Sequence, residues 1–372
     1  MKVLLSGTGG AAGWPEPGCR CASCAGLAPG HRRPFELIVD DVVRFPATEP
    51  PPGYRACAGG LGLLCPDGTS LLHLPSGSPV PDDGPARYDV VLIDLLDHPE
   101  RLGALRRSGL VDDATQVVAV GLDHRVRSEA ELTRRLRPWG ARTVPDGTEL
   151  TTATTLPPGT HLAPSTDPAP GTGPAPGVEP APSAEQAVGA GVALEAVGGR
   201  QPRRALLLGG SRSGKSAEAE ARLAAEPHVT YVATGPDGAG DGEWAARVRA
   251  HRGRRPVHWA TAETTDLVGM IGHATTPLLI DGLGTWLAAV FDEHGAWEGD
   301  RAPVEARCDE LVAAWRQARR PVVAVSDEVG MGVVPATASG RAFRDALGRL
   351  NERLAAESEY VALVVAGRVL EL

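Results

Sequence analysis

The chain is 372 residues long with a formal net charge of -9. That length leaves room for two domains, each with its own core. The acidic balance argues against a general nucleic-acid or anionic-membrane surface. No apolar run approaches transmembrane length, and the first residues lack the charged and apolar regions of a signal peptide, so a cytoplasmic protein without a membrane span is expected.

Six cysteines in so long a chain do not make a disulfide scaffold. Three of them, Cys19, Cys21 and Cys24, crowd into six residues, a spacing that suggests a metal such as zinc rather than bridges. Three thiolates so spaced can reach one tetrahedral ion, and a fourth ligand must come from elsewhere. His31, His98 and His124 are the candidates, and the sequence does not choose among them. Farther on, a strand is expected over Tyr88–Ile93, followed by Asp94, Asp97 and His98.

From about Thr151 to Gly199 there is no Lys or Arg, and nine prolines fall between Pro157 and Pro182. Proline at that density forbids both helix and sheet. The segment reads as a linker (151–202) between an N-terminal region, 1–150, and a C-terminal domain, 203–372, with few contacts expected to cross. The C-terminal domain alternates apolar runs (Ala205–Leu208, Val229–Ala233, Pro277–Ile280, Val322–Ser326, Tyr360–Ala366) with helical patterns (Ala217–Ala225, Glu243–His251, Ala302–Arg319, Gly340–Ala356). Such alternation predicts an α/β fold with a mainly parallel sheet and helices on both faces.

Gly209-Gly210-Ser211-Arg212-Ser213-Gly214-Lys215-Ser216 fits the phosphate-binding P-loop, and it stands between the first of those runs and the first helix. Glycines let backbone N–H groups turn inward on a phosphate, Lys215 reaches the outer phosphates, and the Ser216 hydroxyl can ligand Mg²⁺. The chain has only two lysines, Lys2 and Lys215. The strand ending Leu278-Leu279-Ile280-Asp281 has the Walker B pattern, whose carboxylate holds the same Mg²⁺. Trp244, Val248 and His251 share one face of an expected helix, and Arg252, Gly253, Arg254 and Arg255 follow at once. His251 there fits either a helix C-terminal cation or a nucleophile beside arginines that clamp a triphosphate.

Taken in order, the P-loop, Tyr231-Val232-Ala233-Thr234-Gly235, Arg247 to Pro256, Trp259 to Glu263, Ile280-Asp281, Ser326 to Pro335, Arg341 to Asp345 and Gly348 to Asn351 resemble the bifunctional adenosylcobinamide kinase / adenosylcobinamide-phosphate guanylyltransferase family. The resemblance spans nearly the whole C-terminal domain. It implies a P-loop NTPase of RecA-like type that uses ATP or GTP and Mg²⁺. Such an enzyme phosphorylates adenosylcobinamide, then passes GMP from GTP to that phosphate through a guanylylated histidine, which by position is His251. It further implies nucleotide contacts from the P-loop, Ala233, Thr234, Gly235, Arg252 to Arg255, Glu263 and Asp281, with Lys215 as the catalytic lysine, and a homotrimer. Two departures stand near the expected site. Asp327 replaces a common Asn, and Gly282-Leu283-Gly284-Thr285-Trp286 replaces a segment that usually reads Cys-Leu-Thr-Leu-Trp.

The opening, Met1 to Cys24, resembles metallo-β-lactamase-fold hydrolases of the phosphodiesterase type, in which a Gly-Cys-x-Cys-x-x-Cys element holds a structural zinc. The His-x-His-x-Asp-His cluster of that fold is absent from residues 1–150. A shortened, catalytically dead relative is therefore expected. Two other readings are a P-loop regulatory protein and a metal-delivery protein. The first would not need His251 and Glu263; the second would make metal transfer depend on the cysteine trio, to which the enzyme's catalysis is insensitive.

Overall fold

In the computed structural model, residues 1–46, 49–152, 202–235, 249, 253 and 255–372 are described. Of the expected helix over Glu243–His251 only Arg249, which is helical, is among them, and the linker from residue 153 to 201 lies outside them.

The N-terminal region contains strands β1 (Lys2–Gly7), β2 (Glu36–Val39), β3 (Val43–Phe45), β4 (Arg55–Cys57), β5 (Gly62–Leu64), β6 (Ser70–Leu74), β7 (Val90–Ile93), β8 (Gln116–Ala119) and β9 (Thr148–Thr151). Its helices are α1 (Ala22–Ala25), α2 (Glu100–Arg107) and α3 (Glu129–Leu136). One sheet has the order β3-β2-β1-β9 and is antiparallel; the other has the order β4-β5-β6-β7-β8, with β6, β7 and β8 parallel. Alternate residues explain how the sheets stack. Val3, Leu5, Leu37 and Val39 of the first sheet bury against Leu71, Val90, Leu92 and Val118 of the second. The opposite face of the second sheet, with Leu72, Leu74, Val91, Ile93 and Val117, takes Leu102 and Leu105 of α2 and Leu132 and Leu136 of α3.

The C-terminal domain runs β10 (Arg204–Gly209), α4 (Lys215–Leu223), β11 (Thr230–Ala233), β12 (Ala260–Glu263), α5 (Leu267–Gly272), β13 (Leu278–Asp281), α6 (Leu283–Glu293), α7 (Ala302–Arg316), β14 (Val322–Asp327), α8 (Ala338–Ala356), β15 (Tyr360–Val365) and β16 (Arg368–Glu371). Its sheet has the order β12-β11-β13-β14-β10-β15-β16, parallel except at β16. Both faces are covered. Leu206, Val232, Ile280 and Ala324 pack under α6, α7 and α8 through Trp286, Phe291, Trp315 and Leu350. Leu207, Tyr231, Leu279 and Val325 pack under α4 through Ala219 and Leu223. The apolar run at Tyr360–Ala366 is β15, whereas β12, helices α5 and α6 and the last strand, β16, had no counterpart in the sequence patterns. Ala260–Glu263 is too short and too polar to show as an apolar run, being an edge strand with exposed residues.

Contrary to the expectation drawn from the linker, the two regions pack closely, and the helix after the P-loop is the meeting place. Arg134 of α3 forms an ion pair with Glu218 of α4, and the Trp139 indole donates to the Ala221 carbonyl at 2.7 Å. Arg106 donates to the Ala225 carbonyl at 2.9 Å, and Gly103 lies so near the Glu226 carbonyl that a Cβ would stand 2.8 Å from it. The composition of a connector says nothing of the surfaces it joins. Among the described residues no helix is long and apolar enough to cross a membrane.

Candidate active site

Parallel sheets gather ligands at the carboxyl ends of their strands, and several of the sequence-expected residues meet there. The chain leaves β10 at Gly209 and turns through Gly210 to Ser213 into α4. A Cβ on Gly209 would lie 2.5 Å from the Val364 carbonyl, so the loop needs glycine to pass that strand. Gly214 opens α4 with φ 100, and no side chain caps the helix. Its first amides are thus left for another acceptor, which is what an anion requires. The buried Ser213 hydroxyl has no hydrogen-bond partner among the described residues, and it too fits a phosphate oxygen. Lys215 donates to the Gly210 carbonyl at 3.0 Å and forms an ion pair with Asp327 at 2.8 Å.

Register assembles the remaining residues. Glu263, Ala233 and Asp281 stand side by side at the ends of β12, β11 and β13. Side chains in register point to the same face, here the face under α4. From α4 the Ser216 hydroxyl donates to Asp281 at 3.1 Å. A hydroxyl and a carboxylate so paired, both oxygen donors, suit Mg²⁺.

Tyr231, a residue the sequence reading quoted without assigning it a role, donates its phenol to the other Asp281 oxygen at 2.5 Å. Burial, and then the Asp281 charge, push that phenol well above its ordinary range and keep it a donor. The Arg255 guanidinium lies over the Tyr231 ring at 3.3 Å, so a cation of the arginine segment reaches the same row. Gly253 is an exposed helical residue, and His251, Arg252 and Arg254 lie outside the described residues.

Thr234 donates to the Gly282 carbonyl at 2.6 Å and meets the Thr285 hydroxyl at 2.7 Å. This pairing accounts for one sequence departure. Gly282 has φ 114, and a Cβ there would stand 2.4 Å from the Thr285 hydroxyl. Gly235 follows this cluster directly.

A second cluster lies in the N-terminal region. Cys19, Cys21, Cys24 and His124 bring their ligand atoms within 4.8 Å of one another. Three sulfurs and an imidazole form a zinc set. The Cys21 thiol accepts from the Cys24 amide at 3.5 Å as the cap of α1, which folds the trio into one turn. Of the three histidines that the sequence left open, His124 joins the thiols; His31 pairs with Glu129 at 2.9 Å and His98 with Glu100 at 2.9 Å. Asp94 and Asp97 come together at the ends of the parallel strands. Arg125, however, binds Asp94 at 2.8 Å, Asp97 at 2.7 Å and Asp123 at 2.8 Å. The guanidinium supplies the positive charge that these three carboxylates need.

Comparison with known proteins places the second half of the chain. Residues 205–372 match the family model described as cobinamide kinase / cobinamide phosphate guanyltransferase. The bifunctional adenosylcobalamin biosynthesis protein CobU of Salmonella typhimurium is 40% identical over 174 residues, covering 44% of this chain and 95% of that protein. CobU of Escherichia coli is 37% identical over 177 residues, with 44% and 95% covered. The bifunctional adenosylcobalamin biosynthesis protein CobP of Pseudomonas aeruginosa is 38% identical over 172 residues, with 44% and 94% covered.

Proposed function

The chain belongs to the cobinamide kinase / cobinamide phosphate guanyltransferase family, transferases of cobalamin biosynthesis, and on that premise we propose a two-step reaction for it. Adenosylcobinamide is first phosphorylated by ATP or GTP. GMP then passes from GTP to adenosylcobinamide phosphate, giving adenosylcobinamide-GDP and pyrophosphate. The observation that carries the reading is the convergence of an uncapped P-loop helix, Lys215 and the Ser216–Asp281 pair at the end of one parallel sheet.

In the first step the acceptor hydroxyl oxygen attacks the γ-phosphorus, and the bond to the β–γ bridging oxygen breaks. Loop amides and Lys215 hold the charge on the transferring group. Ser216 and Asp281 would hold Mg²⁺, which would supply charge neutralisation at the outer phosphates. In the second step the His251 imidazole attacks the α-phosphorus and pyrophosphate leaves. A phosphate oxygen of the cobinamide then displaces the imidazole from phosphorus. Arg252, Arg254 and Arg255 offset charge on the leaving pyrophosphate, and Ala233, Thr234, Gly235, Gly253 and Glu263 complete the nucleotide's surroundings. The stacking of Arg255 on Tyr231 supports that placement, and the strand β14 between the P-loop strand and the Asp281 strand supports the RecA-like assignment.

We further propose that the chain divides as 1–150, 151–202 and 203–372 and works in the cytoplasm as a homotrimer without a nucleic-acid partner. The N-terminal region is a shortened metallo-β-lactamase-like domain with a structural Zn²⁺ on Cys19, Cys21, Cys24 and His124. Its two facing sheets with helices on one outer side support that reading, as does Arg125 at the three aspartates.

GTP labelled on the α-phosphorus tests the second step. With Mg²⁺ and no cobinamide, label should attach to His251 through a bond that is lost in acid and survives alkali. His251→Ala should abolish labelling and guanylyl transfer while phosphorylation of cobinamide persists. Label that survives in His251→Ala places the nucleophile elsewhere.

A further inference from the structure

The two sequence departures near the P-loop face each other. Asp327 ends β14 in register with Gly209, where the phosphate loop begins. One of its carboxylate oxygens pairs with Lys215 at 2.8 Å; the other faces Gly284, where a Cβ would stand only 2.8 Å away. Glycine at 284 therefore leaves the space that the carboxylate occupies. The backbone beneath is fixed as well. The Asn351 amide donates to the Asp327 carbonyl at 3.1 Å, and the buried Ser326 hydroxyl donates to the Asn351 oxygen at 2.6 Å. Lys215 is largely enclosed, its side chain 10% exposed against 43% for Asp327. Its ammonium has three N–H bonds, and Gly210 and Asp327 take two of them.

We infer that Asp327 and Gly284 form an affinity-setting latch on the P-loop lysine. This deepens the proposed function and rests on its reading of Lys215 as the phosphate-binding cation. While the pair is closed, the carboxylate cancels the charge that a triphosphate seeks. A nucleotide binds only by drawing Lys215 toward its phosphates, against Asp327. The carboxylate then stands as a like charge beside them. The latch thus lowers nucleotide affinity relative to an uncharged residue of the same shape.

The test uses the full chain and the Mg²⁺ complex of α,β-methylene-GTP, which cannot give up its guanylyl group. Asp327→Asn should bind this probe about twofold to fivefold more tightly than wild type by calorimetry, the upper range of a half-exposed ion pair. Because the chain has only two lysines, isotope-labelled lysine gives two side-chain ammonium-end signals by nuclear magnetic resonance. The Lys215 signal should shift in Asp327→Asn without nucleotide, and in wild type when the probe binds. Unchanged or weaker binding by Asp327→Asn, or a Lys215 signal indifferent to that substitution, overturns the latch and leaves the family reaction standing. A wild-type chain that fails to bind the probe at all overturns the nucleotide reading itself, and the latch with it.

Discussion

His73 sits in the middle of β6, buried and stacked on the Phe35 ring at 4.2 Å between centroids. Burial drives its pKa from 6.5 down to about 4, because an imidazolium there would lose its water. The folded chain therefore holds the neutral form while the unfolded chain takes up a proton near its ordinary value. Stability is complete above about pH 6.5 and falls as pH drops toward 4, since the unfolded state binds more protons across that window. The loss amounts to about 3 kcal/mol. Urea unfolding of wild type and His73→Leu at about pH 7 and about pH 4 should show the wild type losing about that much more; parallel losses would refute the assignment. Lys215 and Ser216 were legible as individual residues because a phosphate loop constrains spacing along the chain, and Asp281 because an acid ends an apolar strand. Tyr231 and Arg255 were legible only as letters of a motif. The stacking of Arg255 on Tyr231 and the phenol's bond to Asp281 depend on β11, β12 and β13 lying side by side, and no local pattern encodes that register.

Short elements carry the thiol cluster, and here sequence and structure divide the work. Cys19, Cys21 and Cys24 announce themselves by spacing, as the cap of a four-residue helix can bring thiols together locally. His124 lies one hundred residues from Cys24, just beyond β8, and it reaches the trio because the end of that strand folds over α1. The purified protein should carry about one zinc per chain. His124→Ala and Cys24→Ser should lose it, while His31→Ala and His98→Ala should keep it, because among the described residues His124 is the histidine whose ring lies with the three thiols. Elemental analysis beside thermal melting checks both halves, and loss of the ion should cost several kcal/mol of folding free energy. Retention of stoichiometric zinc in His124→Ala would remove His124 from the set.

At the scale of the whole molecule, the P-loop helix has two clients. Its first turn faces the nucleotide site, and its outer side receives α3 and Trp139 of the N-terminal region. Arg127 adds a link by donating to the Gly367 carbonyl at 3.0 Å, while the Gly367 amide donates to the Ser213 carbonyl of the loop at 2.7 Å. The sequence showed two regions and a connector. It could not show this contact, because arginines on an amphipathic helix look alike whether they meet water or a carboxylate. The ion pair between Arg134 and Glu218 is the most direct probe, with side chains 16% and 13% exposed. Pairs this enclosed are costly to break singly, because the survivor is left as a buried charge. Arg134→Ala and Glu218→Ala should each destabilise the chain by about 2–4 kcal/mol. The double variant should cost less than their sum by about 1–3 kcal/mol. Unfolding of the four proteins closes that cycle. A coupling near zero would mean that Arg134 and Glu218 do not pair in solution, leaving the Trp139 contact to carry the junction.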